Sequence, residues 1–372
     1  MSDISPDSVR AVISDFPDPQ TGRPIGTMGQ IQSIEVDGVQ VSIAVAIPSS
    51  SLPIVEDVVS QLTDLITTSH HGAKVSVQVL TLNRPPTTLG NTTLKVRNVI
   101  LVGSGKGGVG KSTVAASLAL SLRKFGAHVG LMDADVYGPS IPHLLGLEGR
   151  PAIDEDKKIQ PNLLEGGTID GTPASTPLYP LPVMSMGFIL EPDQAVIWRG
   201  PMLDGSIKQF LGQTDWGPLD YLIIDMPPGT GDIALTLSQA VPVTGAVVVC
   251  TPQEVALLDA VKAVAMFKKV NIPVLGMVEN MNGFLCPDNG KTYDIFGRGG
   301  ARKKAEELDV PFLGGLPINM DLRIAGDEGQ LGAVISDDAA ARAPIDQIAR
   351  ALVRSLSKRS AAAPKTASLP VL

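Results

Sequence analysis

Gly105-Lys106-Gly107-Gly108-Val109-Gly110-Lys111-Ser112 is the stretch on which the reading of this chain turns. It fits G-x-x-x-x-G-K-[ST] at every position. It follows an apolar run, Val99 to Val102, and precedes a helical pattern, Ser112 to Phe125. A strand, a glycine-rich turn and a helix in that order make an anion cradle. The glycines let successive backbone N–H groups point inward, and the helix start adds the positive end of its dipole. Lys111 is then the cation for the β- and γ-phosphates of ATP, the Ser112 hydroxyl is a Mg²⁺ ligand, and the run from Gly105 to Thr113 is the expected nucleotide contact. The alternative is a glycine-rich turn without a ligand, and a complete match in this context argues against it.

Outward from the loop, short apolar runs alternate with helical patterns from Lys95 onward, the signature of βαβ units and a parallel sheet. Val129 to Met132, Tyr221 to Ile224, Ala246 to Cys250 and Val274 to Val278 read as strands, and Glu254 to Val270 as a helix. Upstream, Ile31 to Val36 and Val39 to Ile47 alternate around Asp37-Gly38, a hairpin turn pair. Ile54 to Ile66 has helical spacing, and Lys74 to Leu82 alternates again. The fold class expected is α/β: a P-loop NTPase with a mostly parallel sheet and helices on both faces, preceded by a small α+β domain. The expected boundaries are 1–82 for the small domain, 83–94 for a Pro- and Thr-rich linker, 95–356 for the P-loop domain and 357–372 for a disordered tail.

Three acids stand where such a fold places chemistry. Leu131-Met132-Asp133-Ala134-Asp135 and Leu222-Ile223-Ile224-Asp225 end strands in carboxylates, and ligands bind at the carboxyl edge of a parallel sheet. Asp225 has the form of a Walker B aspartate holding Mg²⁺ through water. The loop Met226 to Asp232, with Pro227-Pro228-Gly229-Thr230-Gly231, has the form of a γ-phosphate sensor. A helix-capping role is the alternative for Asp135.

Lys106, directly after the first glycine, is not needed by an ordinary P-loop. K-G-G-V-G-K-S-T resembles the deviant Walker A motif of the MinD/ParA family. That resemblance implies an ATP-driven homodimer in which Lys106 reaches the partner's nucleotide, a catalytic role it shares with Lys111 and with Asp135 as the water-positioning residue. It places Asp133 near the metal, Asn280 against the adenine and Pro317 in the wall of the base pocket. A turn asparagine and a loop proline are the plain alternatives for the last two.

Val99 to Thr113, Asp133 to Ser140, Trp198-Arg199-Gly200-Pro201-Met202 and Leu219 to Gln239 together resemble the Mrp/ApbC branch, which carries iron–sulfur clusters to apoproteins. Val9 to Leu82, with Asp18-Pro19, is similar to the small iron–sulfur assembly domain that precedes the ATPase in that branch. The resemblance implies cluster cargo and apoprotein clients. The sequence departs from it at Cys286-Pro287-Asp288-Asn289, where the branch has C-P-x-C, and at Ser49-Ser50-Ser51, where the small domain usually has a cysteine. A dimer then supplies two thiolates in place of the four that a [4Fe–4S] cluster takes. Cys286 is one ligand of a labile cluster, a remnant, or a plain loop cysteine. The competing functions are a cluster-free ATPase chaperone on the same scaffold and a MinD/ParA-like positioning ATPase.

Composition narrows these. Lys and Arg number 30 against 38 Asp and Glu, a net charge of −8, so a general nucleic-acid partner is not expected. Two cysteines, Cys250 and Cys286, exclude a disulfide framework and fit a reducing compartment. Neither a secretory signal nor an apolar run of membrane-spanning length is present, so a cytoplasmic protein with no membrane partner is expected.

Overall fold

The computed structural model describes residues 4–82, 84–89, 92–170, 177–189, 200–229 and 231–362. Asn83, Gly90 and Asn91 of the expected linker, Trp198 and Arg199 of the W-R-G-P-M run, Thr230, and residues 363–372 of the expected tail lie outside them. Contacts divide the described chain into two units, residues 4–84 with 353–362, and residues 85–352.

The small unit holds helix α1 (Pro6–Ile13), strands β1 (Ile31–Asp37) and β2 (Gln40–Pro48), helix α2 (Val55–Ser69) and strand β3 (Lys74–Leu82). β1 and β2 pair antiparallel around Asp37-Gly38, with Gly38 at φ 59°. β3 joins β2 in parallel, which the crossover through α2 permits. Val58, Leu62 and Ile66 of α2 close over Val41, Ile43, Val45 and Ile47 of β2. The expected helix from Ile54 begins one residue later, because Ser49–Ile54 forms a 3₁₀ turn around Pro53, which has no N–H to donate.

In the larger unit β4 (Lys95–Ser104), α3 (Lys111–Lys124), β5 (Val129–Asp133) and α4 (Ile141–Leu145) come first. They are followed by β6 (Ala152–Ile153), β7 (Ile159–Gln160), β8 (Asn162–Leu164), β9 (Leu181–Ser185), α5 (Gly200–Gln213), β10 (Pro218–Asp225), α6 (Gly231–Ala240), β11 (Gly245–Cys250) and α7 (Glu254–Lys269). The series closes with β12 (Val274–Leu285), β13 (Thr292–Tyr293), α8 (Gly300–Glu307), β14 (Phe312–Ile318), α9 (Met320–Asp327), α10 (Leu331–Asp337) and α11 (Ala339–Ala362). The sheet order is β13-β12-β11-β4-β10-β5-β9-β8, with β14 beside β12. Within this sheet only the β13–β12 and β8–β9 pairings are antiparallel among the described strands.

The central strands are buried on both faces, as a parallel sheet between helices requires. Val99 and Leu101 of β4 share a core with Leu222 and Ile224 of β10 and with residues of α5, α6, α7 and α8. Side chains alternate along a strand, so Ile100 and Val102 point to the opposite face, and α3 packs on β4, β5 and β10 there. This matches the expected fold class: a mostly parallel sheet with helices on both faces.

One expectation is corrected. Residues 357–362, assigned to a disordered tail, are the last turns of α11. Lys358, Arg359, Ala361 and Ala362 are good helix formers that extend a helix already nucleated by buried Ile345, Ile348, Leu352 and Val353. Contacts also group residues 353–356, assigned to the P-loop domain, with the small unit. Within that unit Arg354 holds Asp57 through both carboxylate oxygens, at 2.5 and 2.8 Å.

Candidate functional site

The site lies at the carboxyl edge of the sheet, where β4, β10 and β5 end side by side. Their register sets Val102, Asp225 and Asp133 opposite one another on neighbouring strands. Ser104 closes β4, and the loop from Gly105 turns the chain into α3.

Two glycines are dictated by that turn. Gly110 is left-handed at φ 78°, and an added Cβ would overlap the amide nitrogen of Asn280. Gly105 lies against α7, so a Cβ there would overlap the Asp259 carbonyl. The resulting loop leaves the amides from Gly107 to Thr113 without a hydrogen-bond acceptor among the described residues, and no side chain caps α3. A row of free N–H groups at a helix start is an anion site.

Lys111 stands beneath this row and is 7% exposed. Its Nζ donates to Asp225 Oδ1 at 2.5 Å and to Ser112 Oγ at 3.1 Å, and it lies 3.9 Å from Asp135 Oδ2. Burial raises the Asp225 carboxyl above its ordinary value, and Lys111 pulls it back. Asp135 is raised for the same first reason and lowered by the same lysine. Asp225 is fully buried, and its Oδ2 has no hydrogen-bond partner among the described residues. Such an orphaned carboxylate oxygen beside Ser112 fits a hydrated Mg²⁺, because a buried acceptor without a donor is costly. Lys106 is half-buried and forms no ion pair among the described residues. Its carbonyl accepts from Ser104 Oγ at 2.9 Å.

Asp133, expected near the metal, lies opposite Asp225 and is held by protein donors. Its Oδ1 accepts from the Asp135 amide at 3.0 Å, and its Oδ2 accepts from the Ile141 amide at 3.2 Å and from Ser185 Oγ at 3.1 Å. Both oxygens accept from protein donors, so Asp133 braces the Asp135 loop against α4 and β9. Burial, then the neighbouring Asp225, push its carboxyl up to about 8, against the pull of those two amides. Ser185 and Ile141 carry no motif that would have revealed them. Glu279 was likewise missed: buried at the end of β12's pairing with β11, it accepts from the Gly299 and Ala301 amides at 2.7 and 2.6 Å and caps α8.

Beside the loop opens a cavity of about 830 Å³. Gly110, Thr113, Asn280 and Pro317 all line it, so the two residues assigned to the base do meet the phosphate loop. Asn280 Nδ2 donates to the Val109 carbonyl at 2.9 Å, which ties β12 to the loop.

Cys286 sits apart, on the turn between β12 and β13. Its amide donates to the Lys291 carbonyl at 2.9 Å, and its carbonyl accepts from the Gly290 amide. Asn289, in the place of the missing cysteine, uses its side chain for the turn: Oδ1 accepts from the Lys291 amide, and Nδ2 donates to the Tyr293 hydroxyl. Among the described residues no group of three or more His, Cys, Asp or Glu side chains is placed to hold a metal ion. Cys250 is a core residue whose thiol burial pushes up to about 12.

Residues 95–353 match the family described as the NUBPL iron-transfer P-loop NTPase, and residues 6–79 match the iron–sulfur cluster assembly protein family. The chain belongs to the NUBPL-type P-loop NTPases. An iron–sulfur cluster carrier protein of Synechocystis is 41% identical over 95% of this chain and 98% of its own length. The mouse iron–sulfur cluster transfer protein NUBPL is 48% identical over 63% of this chain and 70% of its own. A nucleotide-binding protein from Archaeoglobus fulgidus, solved in complex with ADP, is 41% identical, with a TM-score of 0.53 over 64% of this chain and 88% of its own. The NUBPL-type ATPase unit and the assembly-type unit thus occur in the order that the sequence suggested. Among the described residues no helix is long and apolar enough to cross a membrane.

Proposed function

We propose that this NUBPL-type chain is a cytoplasmic, homodimeric ATPase that serves iron–sulfur cluster assembly on apoprotein clients. The observation that carries the ATPase reading is the buried Lys111, held by Asp225 and facing Asp135 beneath a row of free amides.

The amides from Gly107 to Thr113 bind the β-phosphate oxygens, and Lys111 turns from Asp225 to the β- and γ-phosphates. Asp225 and Ser112 hold Mg²⁺, which neutralises phosphate charge when bound. Asp135 accepts a hydrogen bond from the attacking water and orients it in line with the γ-phosphorus. Lys106, which forms no ion pair among the described residues, stabilises the charge on the transferred phosphoryl group of a second copy. Exposed apolar residues at the same edge, Tyr137, Val255 and Leu258, support a face that pairs with another copy. Asn280 and Pro317 seat the base.

The cluster is cargo in this reading, and the residues present do not fit a resident four-thiolate cluster. Two copies bring two Cys286 thiols, and Asn289 is spent on its own turn. That observation favours a second reading, a cluster-free ATPase chaperone for assembly clients.

Phosphate release and iron content test the two halves. Lys111→Ala abolishes hydrolysis. Protein reconstituted anaerobically with iron and sulfide retains iron that Cys286→Ala loses, if clusters ride on this hairpin. Equal iron in wild type and Cys286→Ala, or none in either, removes the carrier assignment from Cys286 and leaves the chaperone.

A further inference from the structure

The cavity assigned to the base also reaches the cysteine hairpin. Its wall runs from Gly110 and Thr113 at the start of α3, through Asn280 and Met281, to Leu285 and Pro287, the two neighbours of Cys286. A ligand that fills it touches the phosphate loop at one end and both flanks of Cys286 at the other.

The strand joining these ends is bulged. Asn280 faces Leu316 and Phe284 faces Ile318 on β14, so four steps along β12 match two along its neighbour. The surplus residues form a bulge in which Met281 is left-handed at φ 59° and Gly283 stands at φ 139°. A left-handed methionine is a costly conformation, kept where surrounding contacts hold it. Past the bulge, the hairpin is paired through Phe284 with Tyr293 and Leu285 with Thr292, and its turn is closed by the Cys286 and Gly290 amides. Leu285, Tyr293 and Ile295 are exposed on it. Apolar side chains left in water on a short hairpin gain from whatever packs against them.

We infer that the nucleoside part of a bound nucleotide packs against Leu285 and Pro287 and locks the Cys286 hairpin in a shielded position, so that nucleotide occupancy is read out at Cys286. This rests on the nucleotide reading above and adds its regulation. The phosphates alone do not reach the hairpin, so the signal belongs to the base and ribose.

The test follows modification of Cys286 by a chromogenic disulfide in the full chain, with calorimetry recording occupancy. Cys286→Ser identifies the reacting thiol, since Cys250 is buried. Saturating MgADP slows the reaction by about fivefold or more, while inorganic tripolyphosphate, which fills only the cradle, leaves it unchanged. The slowing is the same at low and high protein concentration. Bound ADP with an unaltered rate overturns the inference and leaves nucleotide binding standing. Equal protection by tripolyphosphate overturns it as well, as does protection that grows with protein concentration, the mark of shielding by a second copy. Absence of ADP binding by calorimetry removes both readings.

Discussion

Replacing Lys111 by alanine tests the electrostatics of the site apart from catalysis. Lys111 Nζ stands 2.5 Å from Asp225 Oδ1, with the lysine 7% exposed and the aspartate fully buried. Asp225 Oδ2 already lacks a hydrogen-bond partner among the described residues. Without the ammonium the buried carboxylate loses its cation and is left with Ser112 beside it. Removing one partner of such a pair destabilises by about 3–5 kcal/mol. For a unit of this size that lowers the melting temperature by roughly 6–20 °C. The loss depends on pH. Burial already holds the Asp225 carboxyl above its ordinary value, and losing the lysine, which lowers it, raises it further. The folded variant then binds a proton that the unfolded chain has released, so its stability relative to wild type falls as pH rises above the ordinary carboxylate range. The gap is therefore wider at ~pH 8 than at ~pH 5. Calorimetric melting of both proteins at the two pH values, with and without MgATP, reads this directly. Wild type gains stability from the nucleotide, and the variant does not. Equal melting temperatures at both pH values would refute the claim that Lys111 balances Asp225.

Asp225→Asn frees Lys111 from its anchor, so metal-free ATP binds more tightly by calorimetry while Mg²⁺-dependent phosphate release falls. Lys106→Ala keeps nucleotide binding and loses hydrolysis by about 10²-fold or more, the effect of removing one charge-stabilising donor; normal turnover in that variant removes the trans lysine. The Asp133 carboxyl, raised by burial to about 8 from 3.8, stays protonated in the folded protein over that window while the unfolded chain is ionised. Its contribution to stability is lost as pH rises from the lower value to the upper, and Asp133→Asn flattens this part of the pH profile of unfolding. In native protein alkylation modifies Cys286 and spares Cys250, whose thiol burial holds at about 12, and peptide mapping after iodoacetamide shows which was labelled.

How much of this was legible in the chain depends on the range over which each feature is decided. The phosphate loop is local: Gly105, Gly110, Lys111 and Ser112 are demanded by a turn a few residues long, and they can be read from spacing. The hairpin at Asp37-Gly38 and the strand ending in Asp225 are local in the same sense. Asp133 is not. Its donors come from the Ile141 amide and from Ser185 on β9, and nothing within its own strand says that both oxygens will be occupied. The extension of β12 past Val278 was hidden because Glu279, Asn280 and Asn282 interrupt its apolar run, while β14 and β13 supply the pairing that keeps it a strand. Glu279 becomes a cap only because α8 starts beside it. The helical turns after Leu356 were obscured by a Ser- and Lys-rich composition, which looks like a tail until the preceding helix is known to carry through it.

The clasp between Arg354 and Asp57 joins positions 297 apart, and it is the last helix that supplies it. The end of that helix also lies so close to Gly22 that a side chain there would strike the Ser360 backbone. The surface of the small unit is thus completed by residues that come far later in the chain than those they cover. A chain truncated before Arg354 therefore lacks this clasp and uncovers the surface around Gly22.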